Sequence, residues 1–242
     1  MDENKELLLI GTVHGDPDGA TRLGNLLRRE NPSLILVEVS PYGLAYRQRN
    51  MRRLRRILAK RIDRISGIRG VFSKSAEPVQ ALFTQIMMPF EYSSSIRFCR
   101  DSGARIHCID LSSESKRLIG EEWDEMLDFE NLKVLWSAEQ EDSRSSARRS
   151  YGLASRLLAE KEKSCLNPYV REWLEDPAWQ KRESHLAEQI RLRFERMTTG
   201  RLAYVGGWQH LLHPTDGGTL CDRLADLKPR RVLLGLEDIQ SH

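Results

Sequence analysis

Leu7-Leu8-Leu9-Ile10-Gly11-Thr12-Val13-His14 is a short apolar run that breaks at a glycine and then delivers a histidine. Residues 34–39, Leu-Ile-Leu-Val-Glu-Val, repeat the form with a carboxylate, Glu38, near the end. Between the two runs, amphipathic spacing predicts a helix over 21–29, stopped by the breaker pair Asn31-Pro32. A nearly continuous apolar run reads as a strand covered on both faces. Residues 7–39 therefore form a βαβ unit with parallel strands. Three more runs of strand length follow at 106–109, 202–205 and 232–236. Helical patterns fill the gaps, at 78–100 with Gly103 as its stop and at 179–197, which leads through Gly200 into the fourth run. The class is α/β: a central, largely parallel sheet flanked by helices, with a helical insertion or cap.

The 242 residues carry 38 Lys+Arg against 35 Asp+Glu, a net charge of +3, and 40% are hydrophobic. That balance excludes a polycation, an acidic tail and a mainly disordered chain. The length suits a single α/β domain over 1–242, with a basic amphipathic helix at 43–70 and a polar helical insertion at 121–178 inside it. No run approaches the ~20 apolar residues that span a bilayer. The opening residues lack the apolar stretch of a secretory leader, which sets the expectation of a cytoplasmic protein. Cys99, Cys108, Cys165 and Cys221 are scattered with no C-x-x-C pair, which argues against a zinc ribbon or a disulfide framework.

Residues 47–69 hold ten Arg/Lys and one acid, Asp63, with Met51, Leu54, Ile57, Leu58, Ile62 and Ile65 interleaved at helical spacing. Such a helix suits contact with nucleic acid, an anionic membrane surface or an acidic partner. Its Ile/Leu stripe could instead serve as a homodimer arm. The bland reading is a solvated face whose Arg stems cover apolar surface.

The chemistry lies at the strand ends. His14 follows the first run, Glu38 closes the second, Asp110 ends the third, and Gly206-Gly207-Trp208-Gln209-His210 follows the fourth. In a parallel sheet these carboxyl ends share one edge, where open α/β folds place their sites. Both histidines stand in a Gly-x-x-His frame, after Gly11 and after Gly207, and a glycine there permits a close backbone approach. Imidazoles with carboxylates suit Zn²⁺, Mn²⁺ or Co²⁺; without metal they suit general acid and base work. The plain alternative is that each polar group merely satisfies a turn. Asp16, next to Pro17, reads first as a helix cap. His185, three residues past Arg182, could approach the site, whereas His107, His213 and His242 need no such role. Trp123, Trp136, Trp173 and Trp179 read as packing residues, and Trp208 as lining the crevice mouth.

These motifs together resemble the TraB/PrgY and Tiki superfamily. The residues that carry the resemblance are Leu9-Ile-Gly-Thr-Val-His14, the Asn31-to-Glu38 segment, Glu91 on a helix followed by Gly103-Ala104 and a strand ending in Asp110, Arg182-Glu183, and Tyr204-Val-Gly-Gly-Trp-Gln-His210. The chain departs from the pattern at Gln209, where the family has a small residue, and at Leu111 and Ser112, where it has Arg and Asp. The resemblance implies an α/β fold with a crevice site and a metal-dependent hydrolase, peptidase or esterase-like, acting on a peptide or small-molecule substrate. It implies His14, His210 and Glu38 as ligands of a divalent ion (Mn, Co or Zn), and Glu38, Arg182 and Glu183 as catalytic groups. Gly11, Asp16, Glu91, Asp110, Gly207 and Trp208 would line the pocket. A haem-binding branch of the same superfamily supplies the alternative, a ligand-binding or regulatory protein without turnover.

Overall fold

The structure, a computed structural model, describes residues 5–69, 82–83, 86–137, 142–159, 172, 174–212 and 218–236. Cys165, Trp173, His213, His242 and the side chain of Trp136 lie outside them.

Each of the five apolar runs is a strand: β1 (Lys5–Thr12), β2 (Leu34–Val37), β3 (Arg105–Cys108), β4 (Gly200–Gly207) and β5 (Arg230–Leu233). They form one sheet in the order β3-β2-β4-β1-β5, every neighbouring pair parallel. The last run closes as a 3₁₀ turn over Leu234–Leu236. Successive side chains point to opposite faces, so Leu8, Ile10, Ile35, Val37, Ala203 and Val205 build one core. Leu7, Leu9, Leu34, Leu36, Leu202 and Tyr204 build the other. The two edge strands are less covered: β3 leaves Arg105 and His107 exposed, and β5 leaves Arg230 exposed.

Local chemistry sets the helix ends. α1 (Gly19–Glu30) stops at Asn31, which adopts the left-handed conformation at φ 46° and donates its N–H to the Leu27 carbonyl ahead of Pro32. α2 (Pro41–Arg69) is the basic helix. The helix expected over 78–100 is broken: residues 82–83 and 86 are helical, the chain leaves the helix at 87–89, where Pro89 is extended, and α3 (Phe90–Ser102) follows and ends at Gly103 with φ 78°. Residues 78–81 and 84–85 of that expectation lie outside the described part.

α4 (Ser112–Met126), α5 (Phe129–Ser137) and α6 (Ser143–Ala159) occupy the polar segment. It is not one insertion over 121–178. Helical structure begins at Ser112, and Tyr151, Ala154 and Leu157 of α6 join the core of the sheet alongside α1 and α3. The separate unit is a third core in which Leu54, Leu58, Ile62 and Ile65 of α2 pack on Ile119, Trp123, Leu127 and Leu132, with Leu82 and Ile86. The apolar stripe of the basic helix is thus filled within the chain.

α7 (Pro177–Glu195) covers the opposite face of the sheet with α8 (Leu220–Arg223). It starts sharply: Asp176 accepts the Ala178 N–H at 2.9 Å, and Pro177 takes the first helical position, where no N–H is needed. Among the described residues no helix is long and apolar enough to cross a membrane.

Candidate active site

The parallel sheet brings the carboxyl ends of β1, β2, β3 and β4 to one edge, and the residues read from the sequence meet there. Glu38, one residue past β2, is the hub. Its side chain is 3% exposed. Oε1 pairs with Arg182 Nη2 at 2.6 Å and with His210 Nε2 at 3.0 Å. Oε2 accepts the Gly207 N–H at 2.6 Å and the Tyr204 hydroxyl at 3.3 Å. Burial opposes the charge on Glu38, but His210 and Arg182 outweigh it and hold the carboxyl well below its usual range.

His210 sits on the 3₁₀ turn that follows β4, Trp208–Leu211. Its Nε2 faces Glu38, and its Nδ1 makes a very short hydrogen bond to Glu183 Oε1. Both ring nitrogens face carboxylates, an arrangement that favours the imidazolium. Burial alone would push it toward neutrality; the charges of Glu183 and Glu38 instead raise its pKa to about 10. Trp179 stacks on the ring at 5.0 Å and 4°, and Tyr204 meets it edge-on. Glu183, fully buried, holds the far side by accepting the Leu220 N–H at 2.5 Å.

Arg182 forks onto Asp110, with Nε to Oδ1 at 2.8 Å and Nη2 to Oδ2 at 2.7 Å. Burial disfavours its charge, and Glu38 with Asp110 more than restores it. Nη1 makes no bond among the described residues.

His14 is the second histidine, placed quite differently. Its side chain is 57% exposed. Nδ1 lies 2.8 Å from Oε1 of buried Glu91, which also accepts the Thr12 hydroxyl at 2.9 Å. The carboxylate favours the proton on Nδ1 and leaves the lone pair on Nε2. Nε2 is 4.0 Å from Glu38 Oε2, too far for a direct hydrogen bond. Desolvation lowers the pKa of the ring, and Glu91 and Glu38 reverse that, for a net rise. Gly207 keeps the space beside Nε2 open: a Cβ there would sit 3.2 Å from it and 2.8 Å from Gln209 Oε1.

Three expected pocket residues stand elsewhere. Asp16 is buried, but its carboxylate accepts from the Asp18 N–H, from Arg22 and from the Tyr151 hydroxyl, so it braces the turn after β1. It does not cap α1, whose N-cap is Asp18. Trp208 is 5% exposed and part of the core, so it packs instead of lining the mouth. Gly11 gives that core room, since a Cβ there would lie 3.0 Å from the Trp208 Cα and 2.9 Å from Leu211. His185 binds the Ile109 carbonyl at 3.0 Å, next to Asp110. Trp179, a packing residue by sequence, and Tyr204, which no motif marks for a role, both stand against the His210 ring. Trp179 lies three and four residues before Arg182 and Glu183, the spacing of one helix face, and a buried Tyr204 needs a partner for its hydroxyl.

The ligands that the resemblance implies for a metal are His14, His210 and Glu38. An imidazole coordinates through an unprotonated nitrogen, so His210 would have to release the proton that its Nε2 shares with Glu38. Glu38 already receives four donors. Among the described residues no group of three or more His, Cys, Asp or Glu side chains is disposed to hold an ion. In this arrangement the groups suit proton transfer; a divalent ion would need the Nε2 atoms of His14 and His210, both of which face Glu38. Fold and site define an α/β protein with a polar side-chain cluster at the carboxyl edge of a parallel sheet. No family model, curated protein or solved structure matches the chain.

Proposed function

We propose that the protein is a hydrolase in which His14 is the general base. The observation that carries the reading is the His14–Glu91 pair: a buried carboxylate orients an imidazole whose side chain is more than half exposed and whose other nitrogen stands 4.0 Å from Glu38, the partner of Arg182. His14 Nε2 takes a proton from water as the water oxygen bonds to a carbonyl carbon. The charge that develops on the carbonyl oxygen is met by Arg182 through its unbonded Nη1. The protonated His14 then gives its proton to the leaving atom as that bond breaks. Glu38 and His210 are positioning residues, because they hold the guanidinium at the crevice while their own hydrogen bonds are complete. The resemblance to the TraB/PrgY and Tiki superfamily supplies the bond class, an ester or a peptide.

Hydrolysis of p-nitrophenyl acetate and of a short-peptide panel, with and without EDTA, tests the reading. The expected result is turnover that survives the chelator and falls about 10²- to 10⁴-fold in His14→Ala. Turnover abolished by EDTA and restored by Mn²⁺, Co²⁺ or Zn²⁺ would move the chemistry to a metal centre. A haem absorption band in the purified protein without hydrolysis would make the crevice a ligand site.

A further inference from the structure

The basic helix keeps its charge on the side that the fold leaves open. At 100° per residue, Arg49, Arg52, Arg53, Arg56 and Lys60 fall within an arc of about 100°. Leu54, Leu58, Ile62 and Ile65, which pack on α4 and α5, lie on the opposite side of the helix. All five cations are exposed, and none bonds or pairs with another described residue. Three other cations of the helix serve the fold. Arg47 lies over the Trp123 ring at 5.2 Å, Arg64 over Phe129 at 5.1 Å, and Arg61 acts on Asp128.

The stripe runs about 17 Å along the helix, at 1.5 Å per residue. With only +3 on the whole chain, this field is local and not a general property of the molecule. Four of the five cations are arginines, whose forked guanidinium suits phosphate oxygens. A membrane helix would have to insert its apolar face, and that face is committed to the third core. A single-stranded nucleic acid asks for aromatic platforms, and the stripe offers none. Duplex nucleic acid presents one phosphate per ~1.7 Å of axis, about ten over the length of the stripe.

We propose that this stripe docks the phosphodiester backbone of double-stranded nucleic acid without reading its sequence. Five phosphate contacts give a slope of about −4.5 in log K against log salt. Fluorescence anisotropy of the full chain with 20-base-pair duplexes, one of DNA and one of RNA, should therefore show affinity falling about 500-fold from 50 to 200 mM salt. The triple variant Arg52→Gln/Arg53→Gln/Arg56→Gln should lower the slope to about −2 and bind at least about tenfold more weakly at 50 mM. Circular dichroism confirms that the variant is folded, as exposed positions allow. Either duplex binding in this way supports the proposal, and the tighter of the two names the form preferred. Absence of binding at 50 mM salt, a triple variant that binds like the parent, or binding to phosphatidylserine vesicles but to neither duplex would overturn it.

Discussion

Two histidines share the frame Gly-x-x-His and hold opposite protonation roles, and their neighbours decide which. His210 lies between two buried carboxylates, which favour the doubly protonated ring. His14 bonds one carboxylate through Nδ1 and keeps a lone pair on Nε2. Glu91 is what makes His14 a stronger base than a free imidazole, because its hydrogen bond and charge favour the protonated ring. A general base works unprotonated, so activity rises as pH climbs through the raised pKa of His14. In Glu91→Gln the charge is gone, and the acid limb of the rate profile should move to lower pH while the maximum rate drops about tenfold or more. An acid limb unmoved by the substitution would show that another group titrates there. Gly207→Ala probes the space itself. Its Cβ would stand 3.2 Å from His14 Nε2. Turnover should fall about tenfold or more at nearly unchanged melting temperature, since a misplaced reacting group costs rate without costing the fold. Unchanged turnover would mean that the substrate does not approach from that side.

At the level of elements, α7 contributes Trp179, Arg182 and Glu183 from one helical face, and α6 contributes a brace. Tyr151 accepts the Val13 N–H at 3.2 Å and donates to Asp16 Oδ2 at 3.1 Å, so α6 grips both sides of His14. Tyr151→Phe removes those bonds but keeps the ring. Urea unfolding should show a loss of about 1–3 kcal/mol from the buried groups left unpaired, together with a lower kcat. A variant as stable and active as the parent would show the turn to be held without α6. This brace was not legible in the sequence, because nothing near residue 151 marks a tyrosine for a turn 138 residues away. The strands were legible, since each is a compact apolar run punctuated by Asn31, Gly103 or Gly200, and the residues at their ends were legible with them. The short β3 and the role of Trp179 depend on tertiary placement: one strand is at the sheet edge, and one indole has an imidazolium beside it. The apolar stripe of α2 was readable by period, but the helices that cover it were not.

For the whole molecule, the buried cluster ties stability to pH from both sides. The pKa of Glu38 is depressed in the folded state, so its contribution is present above about 4.5 and is lost as pH falls through the depressed value. The pKa of His210 is raised from 6.5 to about 10, so its contribution is complete below 6.5 and is lost as pH rises through about 10. These two groups therefore favour the folded state most between pH 4.5 and 6.5. Above that window the folded chain holds a proton that the unfolded chain has released, which costs up to about 1.4 kcal/mol of stability per pH unit. His14 adds to the same alkaline slope, its pKa also being raised. Denaturant unfolding at pH 5.5, 7.5 and 9.5 should show stability falling across the series, and the ring resonances of His210 should keep their imidazolium positions from pH 5.5 to beyond 8. Stability flat over that range, with a ring that titrates near 6.5, would mean that His210 is neutral in the folded protein. A neutral His210 would have a lone pair to spare, and the case for a coordinated ion between it and Glu38 would return.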